Sequence, residues 1–377
     1  MSGPQRSVLV TGFPTVLVAT RLVRRLAEDE SLRIRCLVPR PFLERAAHAL
    51  RAIDAGARDR VDVVEGDVAS LDFGMAGRSY IALASELSAV HHAAAVSHFG
   101  ASPELAERVN VGGAREIAEL AEVAPRLERI VAWSTAWVSG RRRGYVLETD
   151  LDDSAGFHGI VEETRFRAER LLRRLASRHP VIVLRPTTIV GDSVTGEIDR
   201  LTGPYLLVRL LLSGPRDLRL PLPLRAEAPL NLVPIDYVVE AGLAIAADDR
   251  AIGRTFHIVD PDPLPARRVF ELLARATGRP LPRGWLPTGL AAALLRVPGL
   301  ERLAADPRAF LEQLSTEVVH DDRGARELLA GRGIRCPRFE TYVDRLVEHV
   351  RRTVSAPTAT PDPDAAQPDP LDQDVPH

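Results

Sequence analysis

The chain has 377 residues, 45% of them hydrophobic and 27% charged, which is enough to bury a sizeable core in one large domain or two interlocked ones. A formal net charge of −2 and a pI near 6.6 argue against nucleic acid as a partner. The two cysteines, Cys36 and Cys336, exclude a disulfide framework and a CxxC metal site, and no metal is expected.

The N-terminus runs directly into a strand-like segment and lacks the basic and then apolar layout of a signal peptide. No apolar run reaches the roughly 18 residues that a membrane span needs. The sparing use of cysteine fits a reducing compartment. We therefore expect a cytoplasmic protein without a transmembrane segment.

The first half of the chain alternates short β-rich runs with helical patterns. Strands are predicted at residues 7–10, 34–38, 61–65, 89–92, 130–133 and 181–184. Helices are predicted at residues 15–27, 42–54, 103–123, 161–177, 237–247 and 266–277. This alternation predicts an α/β fold with a Rossmann-type, doubly wound parallel sheet, which binds ligands beyond the carboxyl ends of its strands.

The pattern changes after about residue 187. We predict a nucleotide-binding domain over residues 1–187, to which a segment at about 228–260 returns, and a smaller, mainly substrate-binding cap over residues 188–354. Residues 355–377 are rich in Pro and Asp and almost lack large apolar side chains, which predicts a disordered tail.

The segment "SVLVTGFPTVLVATRLVRRL" places Gly12 at a strand-to-helix turn, where the pyrophosphate of a dinucleotide meets a helix N-terminus. The usual loop has three glycines, and in the spacing TGxxGxxG the other two positions hold Thr15 and Val18. A β-branched side chain at each position is expected to narrow the space for phosphate. On this segment alone, a plain strand-to-helix turn without a ligand remains an equal alternative.

Two further side chains favour the nucleotide interpretation. Asp67 follows the third strand, where a carboxylate can accept a hydrogen bond from an adenine amino group. Arg40 follows the second strand, where an arginine favours a 2′-phosphate and hence NADP(H) over NAD(H). A solvated loop charge is the plainer alternative for Arg40.

Eight segments occur in an order that resembles the extended short-chain dehydrogenase/reductases, and within them the thioester-reductase and fatty acyl-CoA reductase-like branch. The resemblance covers about residues 6 to 350. The segments are "TGFPTVLVATRL", "VEGDV", "HHAAAVSHF", "RVNVGGA", "WSTAWVSG", "VEETRFRAERLL", "LRPTTIVGDSVTGE" and "NLVPIDYVVEA".

The resemblance implies an NAD(P)-binding domain with a C-terminal substrate cap, and it implies roles for particular residues. Gly12 would form the pyrophosphate turn, Asn110 would fix the helix that positions the active site, and Pro186 would border the nicotinamide. Thr135, with Ser134 beside it, would polarise the substrate carbonyl. The full cofactor set is Thr11, Gly12, Thr15, Arg40, Asp67, Val68, Ala93, Ala94, Asn110, Arg165 and Pro186.

The sequence departs from the family where a tyrosine should stand four residues before a lysine. These positions hold Val161 and Arg165, and the chain has no lysine at all. A valine has no proton to give. Arg165 keeps the positive charge and can hold ribose hydroxyls, but a guanidinium with a pKa above about 12 does not relay protons.

Other side chains could substitute for the missing acid. His158 lies three residues before Val161 and could reach the same cleft, although an ordinary loop histidine is the plainer interpretation. Glu162 and Glu163 are expected to be solvated in the first turn of a helix, where the dipole favours acids. Tyr205 is a candidate for the substrate cleft.

Two main hypotheses follow. The first is a reductase, of acyl thioesters, aldehydes or ketones, with impaired or altered catalysis. The second is a non-catalytic protein that binds a cofactor, a ligand or another protein on the same scaffold. A third, a new non-redox activity in the old cleft, is not specified by any residue. The basic run at residues 140–144 is either solvated charge or an anchor for a phosphorylated acyl carrier.

Overall fold

The computed structural model describes residues 6–97, 101–198, 201, 204–214, 222–223, 226–282, 285–286 and 317–355. Most of the predicted tail, from residue 356 onward, lies outside the described residues.

A seven-stranded parallel sheet forms the centre of the fold, in the strand order β11-β7-β5-β4-β1-β2-β3. All six predicted strands are present in it, so the predicted doubly wound sheet is confirmed. The strands are β1 (Arg6–Thr11), β2 (Leu32–Val38), β3 (Val61–Glu65), β4 (Leu87–His92), β5 (Arg129–Trp133), β6 (Gly144–Val146), β7 (Val181–Pro186), β8 (Thr188–Val190), β9 (Leu222–Pro223), β10 (Leu232–Pro234), β11 (Thr255–Ile258), β12 (Trp285–Leu286) and β13 (Val318–His320).

Helices cover both faces of this sheet, which explains why its central strands are nearly continuous apolar runs. The helices are α1 (Leu17–Leu26), α2 (Leu43–Arg51), α3 (Ala55–Arg58), α4 (Gly77–Glu86), α5 (Pro103–Ala106), α6 (Gly113–Val123), α7 (Ile160–Leu175), α8 (Pro204–Ser213), α9 (Ile235–Ala246), α10 (Ala266–Ala276), α11 (Arg323–Leu329) and α12 (Val343–Ser355). Apolar residues of α1, α9 and α11 pack on one face, and those of α4, α6 and α7 pack on the other.

A separate apolar core joins α8, α10 and α12 around Tyr205, Phe270 and Tyr342. Three two-stranded parallel pairs lie outside the main sheet: β8 with β10, β9 with β12, and β6 with β13. The strand β11 returns to the edge of the main sheet. The division into a nucleotide-binding domain and a cap stays a prediction.

The loops that follow β1, β4, β5 and β7 meet at one edge of the sheet, because the carboxyl ends of parallel strands lie together. Gly12, Ala94 and Thr135 lie in the first three of these loops and Pro186 is the last residue of β7, so the topology brings four of the predicted site residues to one edge. Helix α7 carries Val161 and Arg165 and packs against the turn after β5.

Among the described residues, no helix is both long enough and apolar enough to cross a membrane. In the same part of the chain, no group of three or more His, Cys, Asp or Glu side chains is placed to hold a metal ion.

Candidate active site

The turn after β1 is shaped by the close approach of two backbones. Gly12 has φ +91°, and a Cβ added there would lie 2.8 Å from the amide nitrogen of Ala94 and 2.9 Å from the carbonyl carbon of Ala93. The Ala94 amide donates to Oγ1 of Thr11 at 3.1 Å. Only glycine fits here, and the loops after β1 and β4 are held together as the two walls of a trough.

The start of α1 leaves donors available in this trough. The first main-chain bond of the helix runs from the amide of Thr20 to the carbonyl of Val16 at 3.0 Å. The amides of Leu17, Val18 and Ala19 accordingly have no partner among the described residues, which is the usual state of a helix N-terminus and suits an anion.

The two replaced glycines behave differently. Val18 is buried and packs inward in the core, so the expectation that it narrows the phosphate space is wrong. Thr15 does line the pocket, with Oγ1 turned back to the carbonyl of Gly12 at 3.3 Å.

A pocket continues from this turn past the ends of β2 and β3. Its walls combine small and apolar side chains with the carboxylate of Asp67, as expected for the adenosine half of a dinucleotide. The lining residues are Thr11, Gly12, Phe13, Thr15, Val16, Leu37, Pro39, Phe42, Asp67, Val68, Ala94, Ala95 and Val109. The cradle at Gly12, the available amides and this pocket together fit a dinucleotide cofactor.

Asp67 lines the pocket, whereas Arg40 follows the lining residue Pro39 and is not itself in the lining. One oxygen of Asp67, Oδ1, accepts from the Ala69 amide at 2.9 Å, which orients the carboxylate. The Arg40 side chain is 87% exposed and lies 3.9 Å from a carboxylate oxygen of Glu65. An exposed arginine in such a loose pair is available to a phosphate.

Thr135 and Ser134 follow β5 and point to different partners. Oγ1 of Thr135 lies 3.5 Å from the Pro186 carbonyl and accepts from the Trp137 amide at 3.3 Å. Ser134 instead donates its hydroxyl to the carboxylate of Glu169 at 2.6 Å. Only the Thr135 hydroxyl is held by weak contacts and can turn to a substrate.

A buried ion pair between Glu169 and Arg185 lies beneath these residues. The two side chains are 0% and 1% exposed, and Nη2 of Arg185 lies 2.5 Å from Oε1 of Glu169. Arg185 also donates to the carbonyl of Asp150 at 2.8 Å and contacts the ring of His257 at 3.4 Å. The pair therefore ties α7 and β7 to the loop that follows β6.

Helix α7 presents Arg165 one turn before Glu169. Arg165 is partly exposed, and Nη2 of its guanidinium donates to the carbonyl of Trp133 at 2.6 Å. Burial lowers the pKa of Arg165 to about 10, so the group stays charged at neutral pH. Burial and the nearby charge of Arg165 lower the pKa of His92 to about 3, and His92 is therefore neutral.

Val161, one turn earlier, lies in a small apolar cluster with Val96, Leu105 and Val109 and is 7% exposed. The same helix is fixed by Asn110, whose amide nitrogen donates to Oγ1 of Thr164 at 3.0 Å. Asn110 is buried, and its side-chain oxygen accepts a hydrogen bond from the Val96 amide at 2.9 Å. It therefore links the loop after β4 to α7 inside the protein.

His158 and Glu162 form a pair at the start of α7. Nδ1 of His158 lies 2.9 Å from one carboxylate oxygen of Glu162, and the His158 amide donates to that same oxygen at 2.9 Å. Glu162 is 3% exposed, so the expectation of a solvated first turn is wrong for Glu162, whereas Glu163 is exposed.

Tyr205 lies in the core of α8, α10 and α12. Its hydroxyl accepts a hydrogen bond from the Gly191 amide at 2.6 Å, and the side chain is buried. The hydroxyl is thus engaged in a structural contact, and its role toward a substrate stays a prediction.

The sequence analysis did not identify Glu169 and Arg185 as partners, nor their contacts with Ser134, Asp150 and His257. Each gave a signal, since Glu169 follows Ala168 in the apolar stripe of α7 and Arg185 interrupts the buried strand "VIVLRP". A charge inside an apolar run predicts a buried partner, but the pattern alone does not say which residue that partner is.

The sequence profile of an NAD-binding family, described as Male sterility protein, matches residues 10–242. The chain belongs to this family. The resemblance to the thioester-reductase-like branch of the extended short-chain dehydrogenase/reductases is thereby confirmed.

Two curated relatives of this family member are reductases by name. Glycine betaine reductase ATRR of Emericella nidulans is 27% identical over 300 residues, which are 74% of this chain and 23% of the relative. Fatty acyl-CoA reductase wat of Drosophila melanogaster is 25% identical over 232 residues, which are 53% of this chain and 43% of the relative. The chain thus spans less than half the length of either relative.

Two solved structures share the fold. The terminal R domain of the myxalamid PKS-NRPS biosynthetic pathway has a TM-score of 0.78 and 23% identity, and the match covers 94% of this chain and 92% of that chain. A thiolation-reductase di-domain from an archaeal non-ribosomal peptide synthetase has a TM-score of 0.70 and 16% identity, over 93% of this chain and 76% of that chain.

Removing one partner of the Glu169–Arg185 pair should be costly. Arg185→Met removes the close partner of the buried Glu169 carboxylate and leaves it the more distant Arg173, 3.8 Å away, so we expect the free energy of unfolding to fall by about 3–5 kcal/mol. Arg25→Met removes an exposed pair with Glu240, 2.6 Å long, and is the matched control; a loss below about 1 kcal/mol is expected there. Urea unfolding followed by circular dichroism measures both, and equal losses would contradict the assigned role.

Protein stability should fall in mild acid because buried histidines are held neutral. Burial lowers the pKa of His91 and His320 to about 4, so the unfolded chain binds their protons first as the pH falls. Each such histidine lowers the free energy of unfolding by about 1.4 kcal/mol per pH unit between pH ~6.5 and ~4.

His320→Phe tests this expectation, because the ring keeps its edge contact with His257 but loses its charge change. Urea unfolding between pH 7 and pH ~4 should show a slope shallower by about 1.4 kcal/mol per unit. The control, His48→Gln on the exposed side of α2, should keep the original slope. An unchanged slope in His320→Phe would show that His320 is not held neutral.

Proposed function

We propose that the chain is an NADP(H)-dependent reductase of a carbonyl group, carried as an acyl thioester or an aldehyde. The chain belongs to an NAD(P)-dependent reductase family, and the proposal adds the substrate class, the preference for a 2′-phosphate and retained activity. The observation that carries it is the juxtaposition of the Gly12 trough with the Thr135 hydroxyl and the Arg165 cation.

Each of these groups has a separate task in the proposed reaction. When bound, the cofactor supplies the hydride. The amides at the start of α1 hold its diphosphate, and Arg40 reaches the 2′-phosphate. The guanidinium of Arg165 lies beside the strand ends and holds ribose oxygens. The Thr135 hydroxyl turns from the Pro186 carbonyl to the substrate oxygen, where negative charge develops.

The thioester part of the proposal is supported by the relatives and by the basic loop. Two of the relatives are named as a fatty acyl-CoA reductase and a thiolation-reductase di-domain. In this chain, Arg141 and Arg143 are exposed on the loop after the Thr135 turn, while Arg142 pairs with Asp150 at 3.0 Å. Two exposed guanidinium groups near the site suit the phosphate of a carrier arm.

Cofactor binding without catalysis is the second candidate, and the packing of Val161 among apolar side chains favours it. The reductase is tested by mixing the protein with NADPH and an acyl thioester or the matching aldehyde and following cofactor absorbance. Thr135→Val should lower kcat by about 100-fold or more, because one donor to the developing oxyanion is lost. The dissociation constant for NADPH should not change.

The matched control is Thr353→Val, an exposed threonine on α12 whose hydroxyl donates to the His349 carbonyl. It should turn over like the unchanged protein. NADPH binding with no oxidation for any thioester or aldehyde would contradict the reductase and support the binding protein.

Cofactor preference has its own test at Arg40. Arg40→Ser removes a charge-assisted contact to the 2′-phosphate, so the NADPH dissociation constant should rise roughly 10- to 100-fold while that for NADH is unchanged. Calorimetric titration measures both, with Arg51→Ser at the exposed end of α2 as the control. Equal weakening for the two cofactors would contradict a 2′-phosphate contact.

A further inference from the structure

We infer that Glu116 of α6 is a positioning residue for the adenine half of the cofactor, and that it acts through a left-handed turn at Asp72 and Phe73 that holds Asp67. The inference rests on the proposed function, because it concerns how the pocket after β3 holds a dinucleotide. It assigns Glu116 no contact with the cofactor itself.

Two consecutive residues of the turn Leu71–Gly74 adopt the left-handed backbone region. Asp72 has φ 49° and ψ 31°, and Phe73 has φ 57° and ψ 21°. Within the described ranges, these two are the non-glycine residues with positive φ. The region is unfavourable for residues with a side chain, most of all for a bulky one such as phenylalanine, so surrounding contacts have to hold it. Residues held in this way cluster at functional sites and ligand clamps.

The contacts that hold the turn come from two helices. The Asp72 amide donates to Oε2 of Glu116 at 3.0 Å, and Glu116 is 8% exposed. The buried Phe73 ring packs edge-on against Tyr80 of α4 at a centroid distance of 5.4 Å. Leu71, at the start of the turn, is 72% exposed, so apolar burial does not fix that end. Glu116 thus fixes the peptide between Leu71 and Asp72 from outside the loop.

The turn closes back on Asp67 through the backbone. The Asp67 amide donates to the carbonyl of Phe73 at 3.0 Å, and the Ser70 amide donates to the carbonyl of Asp67 at 3.0 Å. The Phe73 amide in turn donates to the Ser70 carbonyl at 2.9 Å. A change of the backbone angles at Asp72 or Phe73 would therefore move the carbonyl that holds Asp67.

Gly66 shows how closely the turn packs against the segment that leads from β3 to Asp67. A Cβ added at Gly66 would lie 2.9 Å from the carbonyl oxygen of Phe73 and 2.8 Å from Cδ1 of Leu37. Leu37 is itself part of the pocket lining. The position of the turn and the shape of the pocket are therefore coupled through direct contact.

Asp67 is the side chain that this support presents to the pocket. It lines the pocket beside Val68, and its Oδ1 accepts from the Ala69 amide at 2.9 Å. In the part of the chain that the structure describes, Oδ2 has no hydrogen-bond partner. A carboxylate oxygen only accepts hydrogen bonds, so it suits an amino group such as that of adenine and repels a carbonyl oxygen at the same place. Misplacing Asp67 should therefore weaken the cofactor through its base.

The test compares NADPH with its reduced hypoxanthine analogue, in which a carbonyl group replaces the adenine amino group. Calorimetric titration gives both dissociation constants for the unchanged protein and for Glu116→Ala, Glu116→Gln and Glu119→Ala. The last is the matched control, because Glu119 is exposed on α6 one turn after Glu116. The melting temperature of each variant shows whether it is folded at the temperature of the titration.

The unchanged protein should bind NADPH roughly 10-fold more tightly than the analogue, which lacks the donor for the Asp67 carboxylate. Glu116→Ala should raise the NADPH dissociation constant by about 10-fold and change that of the analogue by less than about 2-fold, so the preference is lost. Glu116→Gln keeps an oxygen that accepts from the Asp72 amide and should keep the preference. Glu119→Ala should leave both constants as they were.

A second readout needs no cofactor. Because the Asp67 amide is bonded to the Phe73 carbonyl, its hydrogen exchange reports on the turn. In the unloaded protein, exchange of this amide should be roughly 10-fold faster in Glu116→Ala and unchanged in Glu119→Ala. An Asp67 amide that exchanges equally slowly in Glu116→Ala and in the unchanged protein would overturn the inference.

The inference and the proposed function fail on different results. If the unchanged protein prefers NADPH and Glu116→Ala keeps this preference, or weakens both ligands equally, the inference is wrong and the proposed function stands. The same holds if the unchanged protein binds the two ligands equally, because Asp67 then makes no contact with the amino group. If the unchanged protein binds no NADPH, both are wrong.

Discussion

The buried ion pair between Glu169 and Arg185 is the contact on which the arrangement of the site depends. Two charges placed in an apolar interior are costly unless their hydrogen-bonding groups are occupied. Here Nε and Nη2 of Arg185 face Glu169, and the remaining donors meet the loop after β6 and the ring of His257. Glu169 in turn receives the hydroxyl of Ser134. One pair therefore connects β5, β7, β11 and α7.

This pair fixes the register of α7 against the sheet. Val161, Arg165 and Glu169 are spaced four residues apart, so they lie on one face of the helix, one turn above another. With Glu169 locked to Arg185, the guanidinium of Arg165 meets the carbonyl of Trp133. The helix face that carries Val161 and Arg165, to which the resemblance assigns catalysis, is thus turned toward the carboxyl ends of the strands.

Much of the scaffold could be predicted from the sequence. The six strands were readable because short β-rich runs alternate with helical patterns, and Gly12 because it stands at a strand-to-helix turn. The helix at Gly77–Glu86 was missed, since "GRSYIALASE" buries only Tyr80, Leu83 and Ala84 and gives a weak apolar stripe. The edge strand β11, Thr255–Ile258, was not among the predicted strands, although the segment 228–260 that contains it was predicted to return to the nucleotide-binding domain.

The site was less readable because it depends on contacts between distant segments. The sequence pattern does not show that Val18 turns into the core while Thr15 lines the pocket; both are β-branched residues near one turn. Nor does it show that Glu162 is buried and Glu163 exposed, since the helix dipole favours both equally. Only the packing around α7 determines that Glu162 is buried and Glu163 is exposed.

The same packing bears on the absence of an acid at Val161. Val96, Leu105 and Val109 close around this side chain, and Thr164 on the same turn is held by Asn110. A phenol in that space would have to push these side chains apart, which in a filled core costs about 1–3 kcal/mol. Val161 is therefore part of a packed apolar cluster, and the site has no empty space that a tyrosine ring at this position would occupy.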